Sequence, residues 1–131
     1  RLRKRVAVVG AGPAGLACAV SAAERGHAVT LFDAAEEIGG QLDVARRVPG
    51  KEEFDETIRY FRVQLAEHGV DVRLGKSVTA ADLPEHAYDE VVLATGVTPR
   101  VPAIPGVDHP TVVGYLDVLR DRVPVGRRVA V

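Results

Sequence analysis

The chain has 131 residues, 47% of them hydrophobic and 27% charged, with 17 Lys+Arg against 18 Asp+Glu for a net charge of −1. That length holds one compact unit or a piece of a larger one, and the composition excludes disorder, collagen and coiled coil. A near-neutral balance gives no broad basic field, so neither nucleic acid nor a membrane surface is an expected partner.

The first five residues, Arg1 to Arg5, are basic and read as a solvated flank. The apolar stretch behind them is cut by Gly10, Gly12 and Gly15 and lacks a cleavage pattern, so no signal peptide is expected. No run approaches the ~18–20 apolar residues that span a bilayer. The one cysteine, Cys18, has no internal partner, and no Cys/His cluster has metal-ligand spacing. The expectation is therefore a cytoplasmic protein with no metal, and Cys18 as a small buried hydrophobe.

Val6-Ala7-Val8-Val9 is a β-branched run ending at Gly10, the look of a strand buried on both faces of a parallel sheet. From Pro13 to Arg25 alanines recur, with Leu16 and Val20 four apart, which predicts a helix closely packed on a sheet, closed by Gly26. Ala28 to Phe32 reads as a second strand ending at Asp33. Strand, helix and strand in under thirty residues make a βαβ unit, whose right-handed crossover makes the strands parallel.

Residues 34–50, with Gly39, Gly40, Pro49 and Gly50, show no period and read as a long functional loop. Phe54, Ile58, Phe61 and Leu65 then repeat at helical spacing, with Glu52, Glu53, Arg59, Arg62 and Glu67 toward water, and Gly69 ends that helix. Val70 to Leu74 alternate as a third strand, and Glu90 to Ala94 read as a fourth, buried one. Prolines 99, 102 and 105 with Gly106 force an extended crossing segment. Tyr115 to Arg120 predict a short helix. Arg127 to Val131 repeat the pattern of Arg5 to Val9, which predicts the opening strand of a second nucleotide-binding unit.

Gly10-Ala11-Gly12-Pro13-Ala14-Gly15 is G-x-G-x-x-G between a strand and a helix, with an acid, Asp33, ending the next strand. In that context Gly10 permits the tight turn, Gly12 lets a pyrophosphate approach the backbone, and Gly15 lets helix and strand pack closely. Free amides and the positive dipole end hold phosphates there, and Pro13 at the first turn loses no hydrogen bond. Asp33 would accept from an adenosine ribose and repel a 2′-phosphate, which favours FAD or NAD over NADP. Histidines 27, 68, 86 and 109 have no metal-ligand spacing and read as mostly solvent-facing. With no G-x-S-x-G and no phosphate loop ending in Gly-Lys-Ser/Thr, neither a hydrolase nor a kinase is supported.

Three stretches together resemble one family: Gly10–Gly15 with Asp33; Glu37-Ile38-Gly39-Gly40-Gln41-Leu42 running into Val48 to Phe54; and Ala94-Thr95-Gly96-Val97-Thr98-Pro99-Arg100 with Asp108-His109-Pro110. The chain is similar to the dinucleotide-binding portion of the NADPH-dependent 2,4-dienoyl-CoA reductases and their relatives, the 2-enoate reductases and trimethylamine dehydrogenase. The resemblance implies an α/β fold, a Rossmann-like parallel sheet with flanking helices of the FAD/NAD(P)-binding kind, present as a partial domain. It implies residues 1–126 as the FAD-binding segment and 127–131 as the opening strand of a truncated NAD(P)H-binding domain.

The resemblance also implies a parent flavoprotein, serving fatty acid β-oxidation, in which a flavin-bearing barrel and an iron–sulfur cluster precede this region and an NADPH domain follows. There electrons pass from NADPH to FAD, through the cluster to FMN, and on to an unsaturated acyl-CoA. The partners expected are FAD and the rest of the parent chain; no catalytic residue is expected here, and the fragment alone is expected to be inactive. By position, Ala14 faces the pyrophosphate and Asp33 the ribose. Gly40, Gln41 and Lys51 belong to the loop over the cofactor, Val78 meets adenine through backbone groups, and Ala94, Thr95 and Gly96 pass beneath the cofactor. Asp43 stands where the family is expected to have Asn. A different reading keeps the same fold as a non-redox module holding ADP as a structural ligand, as in amine-dehydrogenase-like relatives. A stand-alone NAD-dependent dehydrogenase is disfavoured because no substrate domain remains.

Overall fold

A run of β-branched residues cannot close its backbone hydrogen bonds alone, and here it is paired on both sides. In the computed structural model, which describes residues 2–84, 87–120 and 122–131, the chain forms β1 (Arg5–Val9), α1 (Pro13–Glu24), β2 (Ala28–Phe32), α2 (Gln41–Ala45), α3 (Phe54–Glu67), β3 (Asp71–Arg73), a 3-10 turn (Ala80–Asp82), β4 (Glu90–Leu93) and α4 (Tyr115–Leu119). The four strands form one parallel sheet in the order β3-β2-β1-β4. Val6 sits opposite Val29 and Val8 opposite Leu31, so these four side chains share one face. α1 packs on that face and α3 packs on α1, closing a core of Val6, Val8, Leu16, Ala19, Val29, Leu31, Ile58 and Leu65.

The expected α/β Rossmann-like fold is the one present. α1 packs on β1 and β2 with Gly15, Leu16, Ala19 and Val20 buried, and Gly26 turns the chain into β2 with a φ of +88°. The stripe expected on the second helix is present, with Ile58 and Leu65 buried and Arg59, Arg62 and Glu67 exposed. The other sheet face carries Thr30 and Phe32. Tyr88 meets the Phe32 ring edge-on at 6.2 Å, and the Arg73 guanidinium lies 5.6 Å over its centroid.

Several expectations are corrected. Residues 34–50 are not all loop: Gln41–Ala45 form a helix, seated by buried Val44. Its single turn is too short to show a period. The third strand pairs only over Asp71–Arg73, and all three residues are exposed, as suits an edge with a neighbour on one side. β4 is not buried. Val91 is 47% and Leu93 75% exposed, because β4 is the other edge and nothing in the described chain covers its outer flank. Residues 127–131, expected to open another unit and not to join this sheet, form no strand among the described residues, and Val129 and Val131 lie exposed.

Of the histidines, His68 and His109 are exposed. His27 is half-buried and its Nδ1 accepts the Lys4 backbone N–H at 3.1 Å. His86 lies outside the described residues, as does Arg1 of the basic flank. Cys18 is half-buried against the core. No helix among the described residues is long and apolar enough to cross a membrane, and no group of three metal-ligating side chains occurs among them.

Candidate functional site

α1 and α3 lie on one face of β1-β2-β3, whereas the chain crosses to the far side of β1 to form β4. The strand order therefore reverses between β1 and β4, and the crevice beyond the carboxyl ends of the strands at such a point is where open α/β sheets bind ligands. The motif Gly10–Gly15 leaves β1 into that crevice.

Two of its glycines are there because backbones touch. A Cβ on Gly10, which holds a φ of +112°, would stand 2.2 Å from the Ala94 carbonyl oxygen, so the turn out of β1 grazes the end of β4. A Cβ on Gly15 would stand 1.7 Å from the Gly10 carbonyl oxygen; α1 is packed on its own entry loop with no room for a methyl group. Gly12 differs. It has ordinary φ of −77°, and its Cβ position meets nothing nearer than the Gly40 Cα at 4.0 Å, so the space beside it is open. α1 begins there with Pro13 in its first turn, no side-chain cap and no acidic residue in that turn. The uncapped amides and positive dipole end suit an anion, and Ala14 is exposed at that end.

Asp33 leaves β2 into the same crevice. One carboxylate oxygen accepts the Ala11 N–H at 2.5 Å and the other the Ala35 N–H at 2.8 Å. A carboxylate offers about four lone-pair directions, so two remain for a ligand hydroxyl pair. The Asp33 main chain, in turn, fixes the segment after β3: its N–H donates to the Arg73 carbonyl at 3.1 Å and its carbonyl accepts the Lys76 N–H at 3.0 Å. These bonds carry Val78 to the site. Val9, Gly10, Asp33, Lys76, Val78 and Thr95 line a recess of about 160 Å³, smaller than the ~300–1,000 Å³ of a whole small-molecule pocket and suited to one moiety of a larger ligand.

The second glycine-rich loop also arrives here. The Gly39 N–H donates to the Ala11 carbonyl at 2.8 Å, and a Cβ on Gly40 would stand 2.9 Å from the Gly12 Cα. Gly40 and Gln41 are exposed beside the open flank of the motif. Ala94 is held to β1 by its N–H to the Val9 carbonyl at 2.8 Å; beyond it Gly96, with a φ of +76°, faces open space within 4 Å. Bulk at Gly96 is thus limited by backbone conformation and not by protein packing.

Lys51 is not brought to the recess; it is exposed ahead of α3. Asp43, where Asn was expected, accepts from Arg46 at 2.6 and 3.0 Å and lies 3.7 Å from Arg47. Arg46 also donates to Asp55 at 2.7 Å, so the additional negative charge at position 43 is absorbed in a link between α2 and α3. Hydrogen bonds that Arg46 donates to Asp55, first, and to Asp43 hold the pKa of its guanidinium above its ordinary value. Sequence reasoning missed Lys76 and Ser77. The available signal was positional, since residues just past the carboxyl end of a strand beside the motif face the crevice.

A family model described as pyridine nucleotide-disulphide oxidoreductase matches residues 4–126. Among curated relatives, the N,N-dimethylglycine/sarcosine dehydrogenase of Chromohalobacter salexigens is 39% identical over 98% of this chain and 20% of its own length. Among solved structures, a 2-naphthoyl-CoA reductase bound to 2-naphthoyl-CoA superposes with a TM-score of 0.90 at 38% identity, over 95% of this chain and 19% of its own. The 6-hydroxypseudooxynicotine amine oxidase of Pseudomonas geniculata N1 superposes at 0.85 and 34%, over 93% of this chain and 20% of its own. The chain thus spans about a fifth of the length of the relatives it matches.

Proposed function

This chain belongs to the pyridine nucleotide-disulphide oxidoreductase family, and from that premise we propose that it is the FAD-binding segment of a longer, multi-cofactor flavoprotein oxidoreductase. The observation that carries the reading is the position of Asp33, with lone pairs to spare, between a recess sized for one moiety and the uncapped start of α1. The residues present fit an adenine dinucleotide. Amides at Gly12 to Gly15 would take the pyrophosphate, with Pro13 and Ala14 presenting them. Asp33 would take the adenosine ribose, and the backbone at Val78 the adenine. Gly40 and Gln41, with Lys51 from the same loop, would border the cofactor, and Ala94, Thr95 and Gly96 would run beneath it.

Bound there, FAD would relay reducing equivalents from NADPH, by way of an iron–sulfur cluster and FMN elsewhere in the longer protein, to an unsaturated acyl-CoA. The chain's own contribution is placement and electrostatics, and no acid–base residue is assigned to it. The close likeness to an acyl-CoA reductase supports the 2,4-dienoyl-CoA reductase-like version of this reading. In it, residues 1–126 form the FAD-binding unit, 127–131 open an NAD(P)H-binding domain, the partner is the rest of a cytoplasmic parent chain, and this segment alone is inactive.

A second reading, ADP held as a structural ligand, is favoured by one observation: relatives include amine-oxidising enzymes. The test is to purify the longest natural form of the protein without added flavin, denature it and identify what is released. FAD together with FMN supports the relay. FMN with ADP and no FAD supports the structural nucleotide, and release of no adenine nucleotide removes both.

A further inference from the structure

Lys76 is an exposed residue at the border of the recess. Its backbone is pinned by the bond from its N–H to the Asp33 carbonyl at 3.0 Å and by the neighbouring Gly75 N–H to the Ala35 carbonyl at 2.9 Å. With Asp33 and Val78 it lines the recess of about 160 Å³. Among the described residues it makes no ion pair. Asp82, an acid within its electrostatic reach, is committed elsewhere: its carboxylate accepts the Thr79 N–H at 2.9 Å and the Thr79 hydroxyl at 2.7 Å. Those bonds, and lastly the Lys76 charge, hold the Asp82 carboxyl below its usual range. The two Asp33 oxygens already accept from Ala11 and Ala35.

We propose that Lys76 is a further nucleotide-contacting residue, which closes the adenosine recess against the purine base; this rests on the nucleotide-binding reading above. The lysine stem is apolar and continues the walls made by Val9 and Val78, while the ammonium keeps contact with water. The head is a donor-only group, and a purine presents ring nitrogens that only accept, together with a π face that attracts a cation. The volume suits one base and not a dinucleotide, so the charge meets the base end of the ligand and not its phosphates. Asp33 and Lys76 then divide the adenosine, the carboxylate taking the sugar hydroxyls and the ammonium the base.

The experiment is calorimetric titration of adenosine and of ADP into the flavin-stripped, longest natural form, with Lys76→Ala, Lys76→Met and Asp33→Ala beside the parent. Lys76→Ala weakens both ligands by the same factor, roughly 5–10-fold, and Lys76→Met, which keeps the stem, by about 2–5-fold. Lys76 is exposed, and an unchanged Tm in both variants verifies folding. Unchanged affinity in Lys76→Ala overturns the inference, and so does a loss confined to ADP, which would assign the charge to phosphate. If Asp33→Ala abolishes binding of adenosine while Lys76→Ala spares it, this inference fails and the functional reading stands. If the parent binds neither ligand, both fail.

Discussion

One carboxylate oxygen of Asp33 accepts the backbone N–H of Ala11, 22 residues earlier, at 2.5 Å. Ala11 is fully buried, so this acceptor is what satisfies its amide inside the glycine loop. The acid proposed to hold a ribose is therefore also a strut of the glycine loop proposed to receive phosphate, and its removal acts on both.

Asp33→Ala leaves a buried amide without a partner, a loss of about 1–3 kcal/mol, read as a Tm lower by roughly 3–10 °C. It also lowers flavin or nucleotide content in the longest natural form. Thermal unfolding and the absorbance spectrum of the purified protein measure the two effects separately. Unchanged cofactor content would sink the ribose role, and an unchanged Tm the strut.

Gly12 and Gly15 separate binding from folding. Gly15→Ala places a methyl group 1.7 Å from a backbone oxygen, and the expected loss exceeds about 4 kcal/mol, with no cooperative transition in the far-UV. Gly12→Ala meets no protein atom closer than 4.0 Å at an ordinary φ. It folds with a Tm within ~2 °C of the parent yet loses bound nucleotide, because the methyl group takes the space a phosphate needs. A Gly12→Ala protein that keeps its nucleotide would place the phosphate elsewhere.

Asp89 ties β4 to β1. Its carboxylate accepts the Arg5 N–H at 2.7 Å and faces the Arg5 guanidinium at 3.5 Å, and those two bonds, the backbone one first, hold its carboxyl below the usual aspartate range. A carboxyl depressed on folding adds stability above its unfolded value, near pH 4, and that contribution fades as pH falls through the lower folded value. Asp89→Asn therefore flattens the loss of stability below about pH 4 and changes its shape little above pH 5. Urea midpoints measured across pH 2.5–7 check this; parallel curves for parent and variant would refute it.

Leu93, 75% exposed on the open edge strand β4, makes that edge a place for chains to associate. Light scattering of the isolated chain rises with concentration, and Leu93→Lys reduces the rise, since a charge on an edge opposes pairing. A parent that stays monomeric at every concentration tested contradicts the expectation.

Much of the fold was legible because its signals are local. β1, α1 and β2 announce themselves through a β-branched run, an alanine-rich stretch and Gly26, and the G-x-G-x-x-G marks the uncapped start of α1 before any contact is known. α2 was not legible, since five residues span little more than one turn and show no period. The burial of β4 was misjudged for a related reason. Val91, Val92 and Leu93 read as core by composition, but exposure depends on which strand stands at the edge, and that is a property of the sheet.

The sequence by itself determined the fold class, the anion-ready start of α1 and the acid at the end of β2, because each depends on residue types at fixed short spacing. Only the tertiary structure decided that Gly40 lies against Gly12, that Lys76 and Val78 share a recess with Asp33, and that Lys51 stays away from it. Those relations join segments tens of residues apart through parallel register and backbone hydrogen bonds between strand ends, and no local pattern encodes them. The same cause explains Asp43, whose charge is answered by Arg46 and, through it, by Asp55 on the next helix.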